Sequence, residues 1–127
     1  MPRFSEVLME HFQEPYNRGI LPMATHVGVV GTPGRGPFFV LHLRVAGQHI
    51  ETARFECNAC GVTIACGSLL TQWLPGRRFQ ECTEFSIQQL AELASGIPPD
   101  KQHCAEIAVR ALQQALSGSV SPDGEQA

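Results

Sequence analysis

The chain has 127 residues, 43% of them hydrophobic, which suits one globular domain and is too short for two ordinary ones. A net charge of −3 and an isoelectric point of about 5.9 provide no basic field for nucleic acid or anionic lipid, so neither is an expected partner. No stretch approaches the roughly 18 apolar residues of a membrane span, and the opening Met-Pro-Arg-Phe-Ser-Glu has no signal-like apolar run. A cytoplasmic protein with reduced thiols is therefore expected, and an odd count of five cysteines argues against a pure disulfide framework.

Phe4, Val7, Leu8 and Phe12 recur at helical spacing behind Ser5, a natural cap, so a short amphipathic helix is expected before Pro15. Tyr16 to Gly19 reads as a turn, and residues 20–26 as a connector. A short strand over Val27 to Gly31 runs into Thr-Pro-Gly-Arg-Gly-Pro, which must be a loop. Phe39, Leu41, Leu43 and Val45 then alternate with Phe38, Val40, His42 and Arg44, the period of a half-buried strand. After the Ala46-Gly47 turn, Glu51, Ala53, Phe55 and Cys57 alternate with Ile50, Thr52, Arg54 and Glu56.

From Gly61 the period changes, and Val62, Cys66, Leu69 and Trp73 share one helical face up to Pro75-Gly76. Residues 79–84 predict a helical turn, and Ser86 caps a helix carrying Ile87, Leu90 and Leu93 that stops at Gly96. Ile97-Pro-Pro-Asp is a rigid linker whose Asp100 is placed to cap the last helix. That helix carries the stripe Cys104, Ile107, Ala108, Ala111, Leu112 and Ala115. Strands first and helices after predict an α+β fold. The expectation is a small antiparallel three-stranded meander covered on one face by helices. A single domain spans residues 1–117, and a polar tail, 118–127, is expected to be disordered.

Chemistry concentrates in Cys57-Asn-Ala-Cys60-Gly61 and in His103-Cys104. Two cysteines three apart can grip one metal, and the following glycine lets backbone amides turn toward sulfur. Cys57 shares the face of Ala53 and Phe55, so it is either a ligand or a small core residue. Cys60 stands at a strand-to-helix junction, where a helix N-terminus stabilises thiolate. Cys66, on an apolar face, is a less promising ligand, and Cys82 is expected to fill space. His103 and Cys104 open a helix and reach a common ion only at its end, and sulfur with imidazole suits zinc, iron or copper. His11, His26, His42 and His49 fall on expected surfaces or loops. Arg35, in the Pro/Gly loop, is a possible electrostatic neighbour that would favour thiolates.

Four stretches carry a family resemblance: Ser5 to Gly19, Val30 to Pro37, Ala53 to Ser68, and Ile97 to Cys104. Across residues 3–116 the chain resembles the IscU and NifU N-terminal-type iron–sulfur cluster assembly scaffolds. In that family three cysteines, an aspartate and a histidine hold a nascent [2Fe–2S] cluster, or zinc when resting. The resemblance maps Cys60, His103 and Cys104 onto that set, and Lys101 onto the lysine of the last motif. It implies a non-enzymatic scaffold or carrier that takes sulfur from a cysteine desulfurase, on Cys104 or Cys60, and serves recipient iron–sulfur apoproteins. The first loop departs from the pattern, with Arg35 where a cysteine and Pro37 where the aspartate is expected. Cys57 is the expected substitute ligand. Asp100, where the family has valine, speaks against docking of the dedicated chaperone. Two other readings stand beside this one. The first is a zinc protein, structural or regulatory, closed by Cys57, Cys60, His103 and Cys104. The second is a thiol oxidoreductase working through Cys57 and Cys60.

Overall fold

In the computed structural model, which describes residues 4–118, three strands form an antiparallel sheet in the order β1-β2-β3. They are β1 (His26–Gly31), β2 (Phe38–Ala46) and β3 (His49–Asn58). Register places Leu41 opposite both Gly28 and Phe55, and Phe39 opposite both Val30 and Cys57. These pairs form the inner face, on which Phe39 and Phe55 stack with ring centroids 5.5 Å apart. Simple alternation would put Ile50 outside with Thr52. A bulge opposite Arg44 and Val45 inserts an extra residue, Glu51, so Ile50 turns inward at 1% exposure and Glu51 faces solvent.

The helices are α1 (Glu6–Gln13), α2 (Gly61–Trp73), α3 (Phe79–Cys82), α4 (Ile87–Leu93) and α5 (Gln102–Leu116). Ser5 caps α1 by accepting from the Leu8 amide, and Ser86 caps α4 in a reciprocal box with Gln89. The α4 helix ends where Ser95 and Gly96 adopt positive φ, 58° and 104°. Asp100 does not cap α5. A 3-10 turn over Pro99–Lys101 comes first and moves the cap position to Lys101, which makes no side-chain cap bond.

The stripe expected for α2 understates its burial. Ala65 and Leu70 are as deeply buried as Cys66, because the helix is wedged between β3, α1 and α5. Its buried polar groups are paired. Ser68 accepts from the Tyr16 amide at 2.8 Å and shares a 2.7 Å hydrogen bond with His11 Nδ1, and the Thr71 hydroxyl donates to the Gly67 carbonyl. His11 is thus a buried tie between α1 and α2 and not a surface residue, and burial lowers its pKa.

Two glycines set the distances between layers. At Gly67 an added β-carbon would lie 2.6 Å from the Phe55 ring, and at Gly28 it would collide with the Ala111 carbonyl. The backbone of α5 therefore lies directly on β1. The segment after α1 runs along the free edge of β3, where the Gly19 amide donates to the Phe55 carbonyl and the Phe55 amide to the Asn17 carbonyl. The expected disordered tail lies outside the described residues from 119 onward.

Candidate functional site

β3 ends at Asn58, and the chain turns through Cys60 directly into α2. Cys60 is the cap residue of that helix, with extended backbone (φ −71°, ψ 166°), and its exposed thiol stands over the first turn. The start of α5 comes to the same place. Cys60 Sγ and Cys104 Sγ are 3.5 Å apart, across 44 residues of sequence. His103 Nε2 lies 3.6 Å from Cys104 Sγ, and Thr63 Oγ1 lies 3.7 Å from Cys60 Sγ. Residues 60, 103 and 104, singled out from sequence, are therefore brought together.

The two sulfurs differ electrostatically. Burial alone would raise the pKa of Cys60. The Thr63 amide and hydroxyl, the Cys104 thiol and the Val62 amide outweigh it and bring Cys60 down to about 7. Cys104 is raised, first by burial, although the Thr63 hydroxyl and the Lys101 ammonium pull the other way. The pair at neutral pH is one thiolate-prone sulfur beside one protonated sulfur, with a ring nitrogen at its edge.

Cys57 is 7% exposed and packs into the inner sheet face, where burial pushes its thiol up to about 11. The charge of Arg18 opposes that rise, and the Arg18 guanidinium donates to the Cys57 carbonyl at 3.2 Å. Cys66 is fully buried between α2 and the sheet with its pKa raised by burial, and Cys82, also buried, is raised to about 11. Among the described residues, no three or more His, Cys, Asp or Glu side chains are already arranged to hold one metal ion. The closed four-donor set expected from Cys57, Cys60, His103 and Cys104 is therefore not gathered in this conformation. The sulfur contact that Cys60 makes is with Cys104, and its Cys-x-x-Cys step sits on a purely antiparallel sheet, unlike the βαβ setting of thiol oxidoreductases.

Arg35, expected as a possible electrostatic neighbour of the thiols, makes its contact within its own loop. Its amide donates to the Thr32 carbonyl, and its side chain is exposed in the 32–37 loop, with no ion pair or side-chain hydrogen bond among the described residues. The cations whose charge acts on these thiols are Arg18 on Cys57 and Lys101 on Cys104. Lys101 also borders a cleft of about 220 Å³, walled by Leu8, Phe12, Gly61 and Val62, that opens beside Cys60. Sequence reasoning missed Arg18 and Thr63. Thr63 was recoverable as the third residue after a helix cap, whose amide faces the cap side chain. Nothing local marks Arg18.

Residues 3–119 match the family described as NifU-like N terminal domain. The iron-sulfur cluster assembly scaffold protein IscU of Azotobacter vinelandii is 34% identical over 117 residues, covering 89% of this chain and 91% of the relative. The protein of the same name from Haemophilus influenzae is 32% identical over 125 residues, covering 95% of this chain and 98% of the relative. A solved structure, the putative iron-sulfur cluster assembly scaffold protein for the SUF system of Fervidobacterium islandicum, shares the fold with a TM-score of 0.70. It is 18% identical and covers 89% of this chain and 96% of that one. With its strand meander, its helix layer and this match over nearly its whole length, the chain belongs to the family of NifU-like N-terminal domains.

Proposed function

We propose that this protein is a non-catalytic scaffold on which an iron–sulfur cluster is assembled and from which it is handed on. The observation that carries the reading is the 3.5 Å approach of Cys60 Sγ and Cys104 Sγ, with His103 Nε2 beside them, in a chain whose relatives are named as such scaffolds. Iron and sulfide are cargo. Cys60, Cys104 and His103 are donors of the right softness for iron, and they supply three of the four protein donors that a [2Fe–2S] cluster takes.

Sulfur arrives from a cysteine desulfurase. The acceptor thiolate attacks the outer sulfur of the donor's persulfide, a new S–S bond forms on the acceptor, and the donor leaves as its own thiolate. Cys60 suits that role, being exposed and the more acidic thiol of the pair. Recipient apoproteins take the finished cluster. The free thiols suit a reducing compartment such as the cytoplasm, and no helix among the described residues is long and apolar enough to cross a membrane.

The test is anaerobic loading of the whole chain with ferrous iron, cysteine and a cysteine desulfurase. The expected result is sulfide-to-iron charge-transfer absorbance that moves to an apo-ferredoxin on mixing. A folded, colourless protein that retains one zinc per chain and takes up neither iron nor sulfide would overturn the reading in favour of a zinc protein.

A further inference from the structure

An iron–sulfur cluster is built from sulfide, whereas a persulfide delivers sulfur that is two electrons too oxidised. A group near the acceptor thiol has to supply those electrons. Among the described residues, the thiol in contact with Cys60 is Cys104, whose Sγ lies 3.5 Å from Cys60 Sγ. The other cysteines are placed elsewhere. Cys57 packs into the inner sheet face, Cys66 is fully buried under α2, and Cys82 is buried in α3.

The two sulfurs differ in access. Cys60 is exposed, and Cys104 is fully buried in the first turn of α5. A donor protein can therefore reach Cys60, while Cys104 meets what Cys60 carries. The 3.5 Å approach is made to the atom that becomes the inner sulfur of a Cys60 persulfide. Attack on that atom expels the outer sulfur as sulfide, whereas attack on the outer atom would only pass the persulfide along. Room for the departing sulfur lies alongside. The cleft of about 220 Å³ is lined by Cys60 itself and by Lys101, whose ammonium attracts an anion leaving there.

We propose that Cys104 is a resolving thiol that reduces the sulfur arriving on Cys60 and releases it as sulfide within the site. Cys60 first carries the persulfide. The Cys104 sulfur attacks the Cys60 sulfur, the S–S bond between the two cysteines forms, and the bond to the outer sulfur breaks. The outer sulfur keeps that bonding pair, takes up the proton that Cys104 loses, and leaves as hydrogen sulfide. Counted from the free thiols, the transferred sulfur gains two electrons and each cysteine sulfur gives up one. The sulfurs close from 3.5 Å to the roughly 2 Å of a disulfide. A dithiol reductant then returns both cysteines to thiols by exchange, before either holds iron. The inference rests on the scaffold reading for the arrival of a persulfide at Cys60, and adds a reductive step to it.

The experiment is a single turnover without added reductant. The reduced, desalted, full-length chain is mixed anaerobically with a cysteine desulfurase already in its persulfide form and freed of cysteine. Wild type should release about one sulfide per chain, read by methylene-blue formation, and form a disulfide that peptide mass spectrometry maps to Cys60 and Cys104. Cys104→Ser should keep the added sulfur on Cys60 and release about tenfold less sulfide or lower still. A wild type that holds a persulfide on Cys60, with the Cys104 thiol still open to alkylation after unfolding, would overturn the inference without any variant having to fold. So would a persulfide resting on Cys104, or a disulfide mapped to Cys57 and Cys60. A Cys104→Ser chain cross-linked to the desulfurase would place the release of sulfide on the donor and overturn it as well. In each of these cases the scaffold reading stands on its own loading test. A wild type that takes no sulfur from the donor and refuses iron with free sulfide would overturn both.

Discussion

The loop of residues 32–37 and the junction of residues 57–61 lie at the same end of the sheet, since Phe38 pairs with both Gly31 and Asn58. Topology gives both an equal chance to line a site there. The junction packs Cys57 into the sheet face, caps a buried helix with Cys60 and meets Cys104. The loop is exposed, and among the described residues an internal bond runs from the Arg35 amide to the Thr32 carbonyl, with Gly34 and Gly36 at φ 86° and 90° and open space around both. Of these two segments, thiols stand on the junction side, and the loop carries no thiol, imidazole or carboxylate. The lesson is that two segments at one end of a sheet can differ widely in what the fold holds fixed.

The sharpest way to break this contrast is to remove the pair. Cys60→Ser or Cys104→Ser should lower iron and sulfide per folded chain to background, measured by colorimetric iron and sulfide analysis after desalting. Retention of more than half the wild-type content would mean that the pair is not the anchor. Next in size is the packing that brings Cys104 to Cys60. Gly28→Ala forces α5 off β1 at the Ala111 carbonyl and should cost about 3 kcal/mol of stability, read from urea unfolding. An unchanged midpoint would show that the two layers are not locked at that point.

A finer difference lies in the thiols of the metal-free protein. With Cys60 near 7 and Cys57 near 11, alkylation of Cys60 should rise about tenfold per pH unit below 7 and level off above it, while Cys57 stays slow throughout. The sign follows from the thiolate being the nucleophile: raising pH populates it, and a lowered pKa populates it earlier. Thr63→Val removes a hydroxyl that stabilises the Cys60 thiolate, so the curve should move to higher pH, as followed by peptide mass spectrometry. The smallest effect is expected in the loop. Arg35→Ala should change metal affinity less than about twofold, the screened contribution of a distant exposed charge. A tenfold loss in isothermal titration would return the loop to the site.

Much of this molecule is decided locally. Ser5 and Ser86 accept from amides three residues on, and the alternation of Phe39, Leu41 and Leu43 follows from the pleat of a strand with one buried face. The change of period at Gly61 marks where strand gives way to helix. The same local logic failed where a neighbour in space intervened. The bulge that turns Ile50 inward depends on strand pairing, and the near-complete burial of α2 depends on three partners that its own stripe does not reveal. Asp100 lost its capping place to a 3-10 turn that the two preceding prolines favour.

For the site, sequence alone determined which residue types were present: sulfur at 57, 60, 66 and 104, imidazole at 103, and none of either in the first loop. Only the tertiary structure decided which of them meet, because a 3.5 Å contact across 44 residues is a property of how α2 and α5 pack. It also chose the cations. Arg18 reaches the Cys57 carbonyl through edge pairing with β3, while Arg35 is exposed in the 32–37 loop. Charge and hydrogen bonding act over a few ångströms of space, and chain order records those distances only within a turn of helix or a step of strand.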